Sequence, residues 1–415
     1  MTEQTKDRRY LTGMVVTIIL TAFCLRAPIT GVGSLVSMIK EDLHIASAAA
    51  GMLTTIPLLA FGAFSFFIGG LSRRFGTGYV ALASMALMIL GLISRSFLGS
   101  TGLFAGSLLI GMGIAAGNVL LPAIIKAVFP NKIGVMTSLY TTSLSAFAGI
   151  SAGISVPLAF YLGWKGSLFI WIIPATAALI AWIPFRSLNL ATSSAAKASP
   201  ALKAAADAPA DGPTAVTLIK KERSVLSSGK AWLIAFFLGV HSMIYGGLIA
   251  WISTIIQSKG FDVTTGGFFN SYYLLLGIIT SITTPIIMTR KKTQTSIGVG
   301  IGTCYFFGVL GIFLFHNLPA LIIATTICGL CNGSCLSFSM TVLALRAKNA
   351  QDSAQLSGLA QSIGFMMSAI APALLGKIFD LTGTWTAPLG ILMFLALLMA
   401  GLSFIVGKPF IINED

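Results

Sequence analysis

Arg26 lies deep inside a long apolar stretch, Tyr10 to Ile39, and none of the chain's 12 acidic residues falls in any apolar stretch to neutralise it. Glu3, Asp7, Glu41, Asp42, Asp207, Asp211, Glu222, Asp262, Asp352, Asp380, Glu414 and Asp415 all read as tails, loops or helix ends. A guanidinium stays protonated in almost any surroundings and presents a planar fork of donors that matches carboxylate-like geometry. Placing that charge at bilayer depth costs roughly 2.5–3.5 kcal/mol on insertion scales, so an arginine without a carboxylate there is expected to meet an anion from outside the chain. The same missing carboxylates argue against proton-coupled export of cationic drugs, in which one acid both binds the cation and carries the proton. Pro28, with Thr30, Gly31 and Gly33, predicts a broken or kinked segment beside Arg26, whose freed carbonyls would also face a cavity.

Other polar groups sit in comparable settings. His241 and Tyr245 are four residues apart, hence on one helix face, and a histidine there would donate to a ligand or titrate during transport. Trp251 extends that pattern toward one end of its helix, as a gate or as part of an aromatic belt. Asn118, Tyr140, Gln361 and Asn332 offer neutral hydrogen-bonding groups, either to a pathway or as interhelical links. Tyr272 and Tyr273 read as interface aromatics. Cys328, Cys331 and Cys335 share a helical face, but no histidine or carboxylate completes a metal set, so they read as packing residues. No Gly-Lys-Ser/Thr phosphate cradle is present, and Gly111-Met112-Gly113 sits within an apolar run. The expectation is a transporter driven by a gradient, not an enzyme, with no cofactor, no metal and no nucleic-acid partner.

The elements that must position these groups follow from hydropathy. Hydrophobic residues make up 56% of the 415 and charged ones 9%, against about 25% charged in globular domains, and mean hydropathy is +0.92. Twelve apolar runs, near 12–38, 49–71, 78–98, 102–126, 134–161, 167–185, 231–256, 265–288, 296–315, 319–344, 354–378 and 385–407, have the length a tilted bilayer-crossing helix needs. The first lacks a cleavage site and is too long for a signal peptide. The net charge of +14 belongs to topology, because Lys and Arg concentrate in alternate loops: Arg8 and Arg9, Arg73 and Arg74, Lys126 and Lys132, Arg290 to Lys292, Arg346 and Lys348. The positive-inside bias places both termini in the cytoplasm. An Ala-, Ser-, Pro- and Lys-rich segment divides the chain into residues 1–185, a flexible basic cytoplasmic linker at 186–229, and residues 230–415.

The two six-span parts repeat. Arg73 and Arg74 recur as Lys291 and Lys292, Gly163-Trp164 as Gly383-Thr384-Trp385, and Ser138-Leu139 as Gly358-Leu359, all at nearly one spacing. Parallel repeats of this kind bind solute near the midplane, between the parts, and work by alternating access.

Gly69-Gly70-Leu71-Ser72-Arg73-Arg74-Phe75-Gly76 resembles the Gly-x-Leu-Ala-Asp-Arg-x-Gly signature of the major facilitator superfamily, with Arg73 in place of the acid. Leu25-Arg26, Gly117-Asn118-Val119-Leu120-Leu121-Pro122, Thr137-Ser138-Leu139-Tyr140-Thr141 and Leu356 to Gly364 resemble its cyanate and 2-nitroimidazole transporter branch. Cys24 and His241 stand where that branch usually carries Asn and Gln. The resemblance implies an all-α membrane protein of two six-helix bundles, monomeric, in the cytoplasmic membrane. It also implies a small anionic or polar, heteroatom-rich solute; protons are a candidate coupling ion. Arg26 would anchor that solute and Asn118, Tyr140, His241, Tyr245 and Gln361 would orient it; Arg73 and Arg74 would hold helix-end carbonyls in one state, and Trp251 would gate. An exporter of neutral antimicrobial compounds and a non-transporting membrane sensor are the competing readings.

Overall fold

The computed structural model describes residues 3–44, 47–190 and 224–412, and every regular element among them is helical. The first run becomes α1 (Glu3–Cys24) and α2 (Ala27–Leu43), separated at Leu25 and Arg26. It is followed by α3 (Ser47–Phe75), α4 (Thr77–Phe97), α5 (Gly99–Val128), α6 (Ile133–Phe169) and α7 (Ile172–Trp182). After the undescribed stretch come α8 (Gly229–Gln257), α9 (Val263–Arg290), α10 (Thr295–Leu314), α11 (Leu318–Arg346), α12 (Ala350–Thr382) and α13 (Thr386–Val406). Together they hold 12 stretches long and apolar enough to cross a bilayer, so the chain is a multi-pass membrane protein.

Local chemistry fixes the ends. Asp262, Asn317 and Asn349 precede α9, α11 and α12, and each side chain accepts from the backbone N–H three residues on, at 3.1, 2.9 and 2.8 Å. Gly163 takes φ +67 inside α6, so the fifth crossing ends there and the sixth starts at Trp164. Gly383 takes φ +66 where α12 ends. These are the two glycines that the internal repeat pairs, and both take a positive φ that a side chain disfavours, Gly383 in left-handed backbone with ψ 3 and Gly163 in an extended region with ψ 167 that is essentially glycine's alone.

Both chain ends lie at one end of the bundle, termed the terminal face. Tyr10 meets Phe185 at 5.2 Å, Lys126 reaches Ala344, and Gly407 receives a bond from Arg346. The segment 186–229 is built into this face at both edges, contrary to a linker flexible throughout. Gly78 N donates to Leu188 O at 2.9 Å, Leu190 N to Thr77 Oγ1 at 3.3 Å, and Val225 is buried. The buried side chains of Leu190 and Val225 seat those edges; the interior, 191–223, with Lys220, Lys221 and Arg223, lies outside the described residues.

Helices α1–α7 pack as one set and α8–α13 as another, meeting where α3 and α5 touch α12 and where α6 touches α9. Tyr273 differs from the interface-aromatic expectation: it is fully buried, its hydroxyl 2.6 Å from that of Tyr305. A phenol with a buried partner has no need of the membrane surface. Cys328 and Cys335 are buried packing residues, with Cys328 Sγ against Gly308 and Cys335 Sγ against Met399.

Candidate functional site

The break in the first crossing follows from Pro28. Its ring nitrogen has no proton to continue the helical ladder, so the chain turns at Leu25 and Arg26 and restarts with proline in the first turn of α2. Arg26 adopts φ −125 and ψ −41, and its carbonyl accepts from Ile29 N and Thr30 N, both at 3.1 Å. Two nearby carbonyls are taken up from behind. Ser151 Oγ donates to Ala27 O at 2.7 Å, and Arg95 Nη1 to Pro28 O at 2.7 Å. The expected break is present, and these two carbonyls of α2 are held by side chains of the first helix set.

The Arg26 side chain points the other way, to the second set. Its guanidinium carbon stands 6.0 Å from the Tyr245 ring centre and 5.5 Å from that of Phe365, within cation–π range. It is half-buried, and among the described residues no hydrogen bond or ion pair ties its guanidinium. His241, one turn along α8 from Tyr245, is 3% exposed and lies beside Asn332 within reach of the Arg26 charge. Neither of its ring nitrogens has a hydrogen-bond partner among the described residues.

Asn118 and Tyr140 are brought together and engage each other. Tyr140 donates to Asn118 Oδ1 at 2.9 Å, while Asn118 Nδ2 donates to Ile114 O at 3.1 Å. Both are buried, and Tyr140 also lies within reach of the Arg26 charge. Gly117 explains its own identity, because a side chain there would run into Leu25. The Leu25-Arg26 and Gly117-Asn118 motifs are therefore two sides of one contact, and the Asn118–Tyr140 bond joins α5 to α6. Gln361 is buried and turned to α11, with Nε2 3.3 Å from Met340 Sδ and Oε1 unpartnered.

The remaining sequence candidates fall elsewhere. Trp251 donates to Pro372 O at 2.9 Å, packs on Gly376 and meets Trp385 at 5.4 Å, all within the second set. Arg73 and Arg74 are exposed, with Arg74 over the Phe75 ring at 5.3 Å, and neither holds a helix-end carbonyl among the described residues. Long cations on a hydrated loop keep their charge in water, so the expected contacts are made by other residues. Lys126 Nζ donates to Ala344 O at 2.6 Å, and Gln351 Nε2 to Gly69 O at 2.9 Å. Gly69 permits this because its missing Cβ would lie 3.0 Å from Gln355 Cα. Sequence reading treated Lys126 as a topology marker and passed over Gln351; their place at helix ends facing the other half was the available signal.

Further bonds join the sets on the same side. Ser138 donates to Ile282 O at 2.7 Å, Thr141 to Ser281 O at 3.2 Å, and Ser337 to Thr141 Oγ1 at 3.1 Å. Phe61 and Phe365, ring centres 3.7 Å apart, close the contact at the level of Arg26. Every inter-set hydrogen bond recorded among the described residues lies between that aromatic pair and the terminal face. The arrangement seals the molecule from mid-depth to the terminal face and leaves Arg26 on the far side of the seal.

The model of the family described as Major Facilitator Superfamily matches residues 18–372. The chain is 35% identical over 391 residues to an uncharacterized transporter, YycB, of Bacillus subtilis (strain 168), covering 94% of this chain and 91% of that protein. It is 31% identical to the 2-nitroimidazole transporter of Escherichia coli (strain K12), covering 95% of each, and 21% identical to the cyanate transport protein CynX of the same organism, covering 90% and 91%. In fold it is similar to the proton:xylose symporter XylE, with TM-score 0.70 at 10% identity over 98% of both chains.

Proposed function

Because the chain belongs to the major facilitator superfamily, in the branch of the cyanate and 2-nitroimidazole transporters, we propose that it is a secondary active transporter of a small anionic or polar, heteroatom-rich solute, with Arg26 as the anchor. The observation that carries this reading is a guanidinium between the two helix sets with aromatic neighbours and, among the described residues, no carboxylate or acceptor of its own. A half-desolvated cation of this kind gains from an anion or an electron-rich heteroatom docked on its donor fork. Tyr245 and Phe365 form aromatic walls, and Asn118 and Tyr140, bonded to each other, join α5 to α6.

Residues 1–185 and 230–415 act as two rocking bodies, with both termini in the cytoplasm of the inner membrane. The sealed terminal face then corresponds to an outward-open state, held by Lys126 and Gln351 in place of Arg73 and Arg74. Protons are the coupling ion and His241 is their carrier: an anion on Arg26 stabilises a proton on the neighbouring imidazole, and by reciprocity that proton tightens the anion. The 2-nitroimidazole transporter among the relatives supports a second reading, a neutral nitroheterocycle stacked on Tyr245 and Phe365.

Purified protein in liposomes separates these readings. Cyanate or nitrite flux that Arg26→Ala abolishes, with proton uptake that His241→Gln removes, is the expected result. Undiminished anion flux in Arg26→Ala defeats the anchor, 2-nitroimidazole flux without anion flux favours the neutral solute, and no flux of any kind favours a sensor.

A further inference from the structure

A hollow of about 820 Å³ opens on the terminal face between α1 and α7, away from the contact between the helix sets. Arg8, Arg9 and Tyr10 line its mouth, and Gly13, Val16 and Phe185 its apolar depth. Its floor closes where Thr17 Oγ1 donates to Ala181 O at 3.2 Å, and its wall is Tyr10 set edge-on to Phe185. Gly13 lets Phe185 pack against α1, since a Cβ there would come within 3.3 Å of the Phe185 ring. Val16, Ile180 and Ile183 around it are exposed apolar side chains of the kind that face acyl chains, and Arg8 begins the first candidate span.

We propose that this hollow is a binding site for an anionic phospholipid, with the phosphate held at Arg8 and Arg9 and the upper part of one acyl chain lying along Gly13, Val16 and Phe185. The charge complementarity is direct: arginine forks match phosphate oxygens bidentately, and basic pockets between membrane helices collect anionic headgroups. The apolar depth distinguishes this site from a bare cationic surface, because a soluble phosphate would leave it unfilled. A lipid seated there ties the first crossing to the sixth and bears on the stability of the first helix set, not on the solute path.

The test uses the full chain in nanodiscs, comparing phosphatidylcholine alone with mixtures containing phosphatidylglycerol, by thermal midpoint and by native mass spectrometry of retained lipid. Phosphatidylglycerol is expected to raise the midpoint and to be retained. Arg8→Ala and Arg9→Ala each weaken retention about fivefold, Arg8→Lys weakens it less, and Gly13→Leu fills the hollow and loses the lipid with both arginines in place. Equal stabilisation by phosphatidylcholine overturns the proposal. So does phosphatidylglycerol retention unchanged in the Arg8→Ala/Arg9→Ala double variant, or full stabilisation by inorganic phosphate alone. Solute binding unchanged in Gly13→Leu shows that the variant is folded.

Discussion

The first helix of each repeat occupies the same place in its half, and the two have diverged in opposite directions. In the first half the crossing is cut at Leu25 and Arg26 by Pro28 and sends a charge toward the second half. In the second half α8 runs unbroken through the matching position, where Tyr245 presents a ring to that charge. Gly246 and Gly247 do not break it; they let Ser368 and Leu375 of α12 approach, where larger side chains would collide. Glycine inside a membrane helix serves packing when its donor is kept, whereas proline removes the donor and leaves carbonyls that neighbours must satisfy. One symmetric frame thus carries a rigid polar hinge on one side and a smooth aromatic wall on the other.

The largest effect expected from breaking that asymmetry is at Arg26 itself. Arg26→Ala should weaken solute binding by about 2–5 kcal/mol, the usual cost of deleting one partner of a desolvated charge pair, read as lost thermal stabilisation by cyanate, with Arg26→Lys intermediate. Arg95→Met comes next: it removes the charge-assisted bond that ties the Pro28 carbonyl to α4, worth about 1.5–3 kcal/mol, and should lower the unfolding midpoint while the equivalent region of α8 is untouched. Gly163→Ala and Gly383→Ala sharpen the repeat. Each forces a side chain into positive-φ backbone with open space around it. Gly383→Ala, in left-handed backbone, should cost about 1–2 kcal/mol, and Gly163→Ala, at ψ 167, about 1–3 kcal/mol, so a smaller loss at Gly163 than at Gly383 would show that ψ does not distinguish the two corners. Smallest is Tyr245. Tyr245→Phe keeps the ring and should leave affinity nearly unchanged, whereas Tyr245→Ala should cost about 0.5–1 kcal/mol of cation–π attraction.

Much of this frame is legible in the chain. Twelve apolar runs, the break beside Pro28, the pairing of Gly163 with Gly383, and Arg26 opposite Tyr245 all depend on local chemistry or on a repeat that the sequence displays. What is not legible depends on how each helix is rotated. Arg95 reads as a loop charge beside one membrane face, yet it is buried against α2 because Gly106 lets α4 and α5 close over it. Asn118 and Tyr140 read equally as pathway groups and as interhelical links, and the crossing of α5 and α6, which no sequence pattern fixes, brings them to bond each other. Arg73 and Arg74 carry the recognisable motif, while the bonds across the terminal face come from Lys126 and Gln351, which no motif marks.

Apart from Ser337 on Thr141, every hydrogen bond recorded across the sealed face ends on a backbone carbonyl: Ala344, Gly69, Ile282 and Ser281. A carbonyl is present whatever residue bears it, so the seal is written on one partner only. Substitutions on the accepting side drift freely within the limits of bulk, while a single change at Lys126, Gln351, Ser138 or Thr141 alters how long the closed state lasts. The lifetime of that state is thereby adjustable by point mutation without a compensating change across the interface, so transport rate can evolve separately from solute choice.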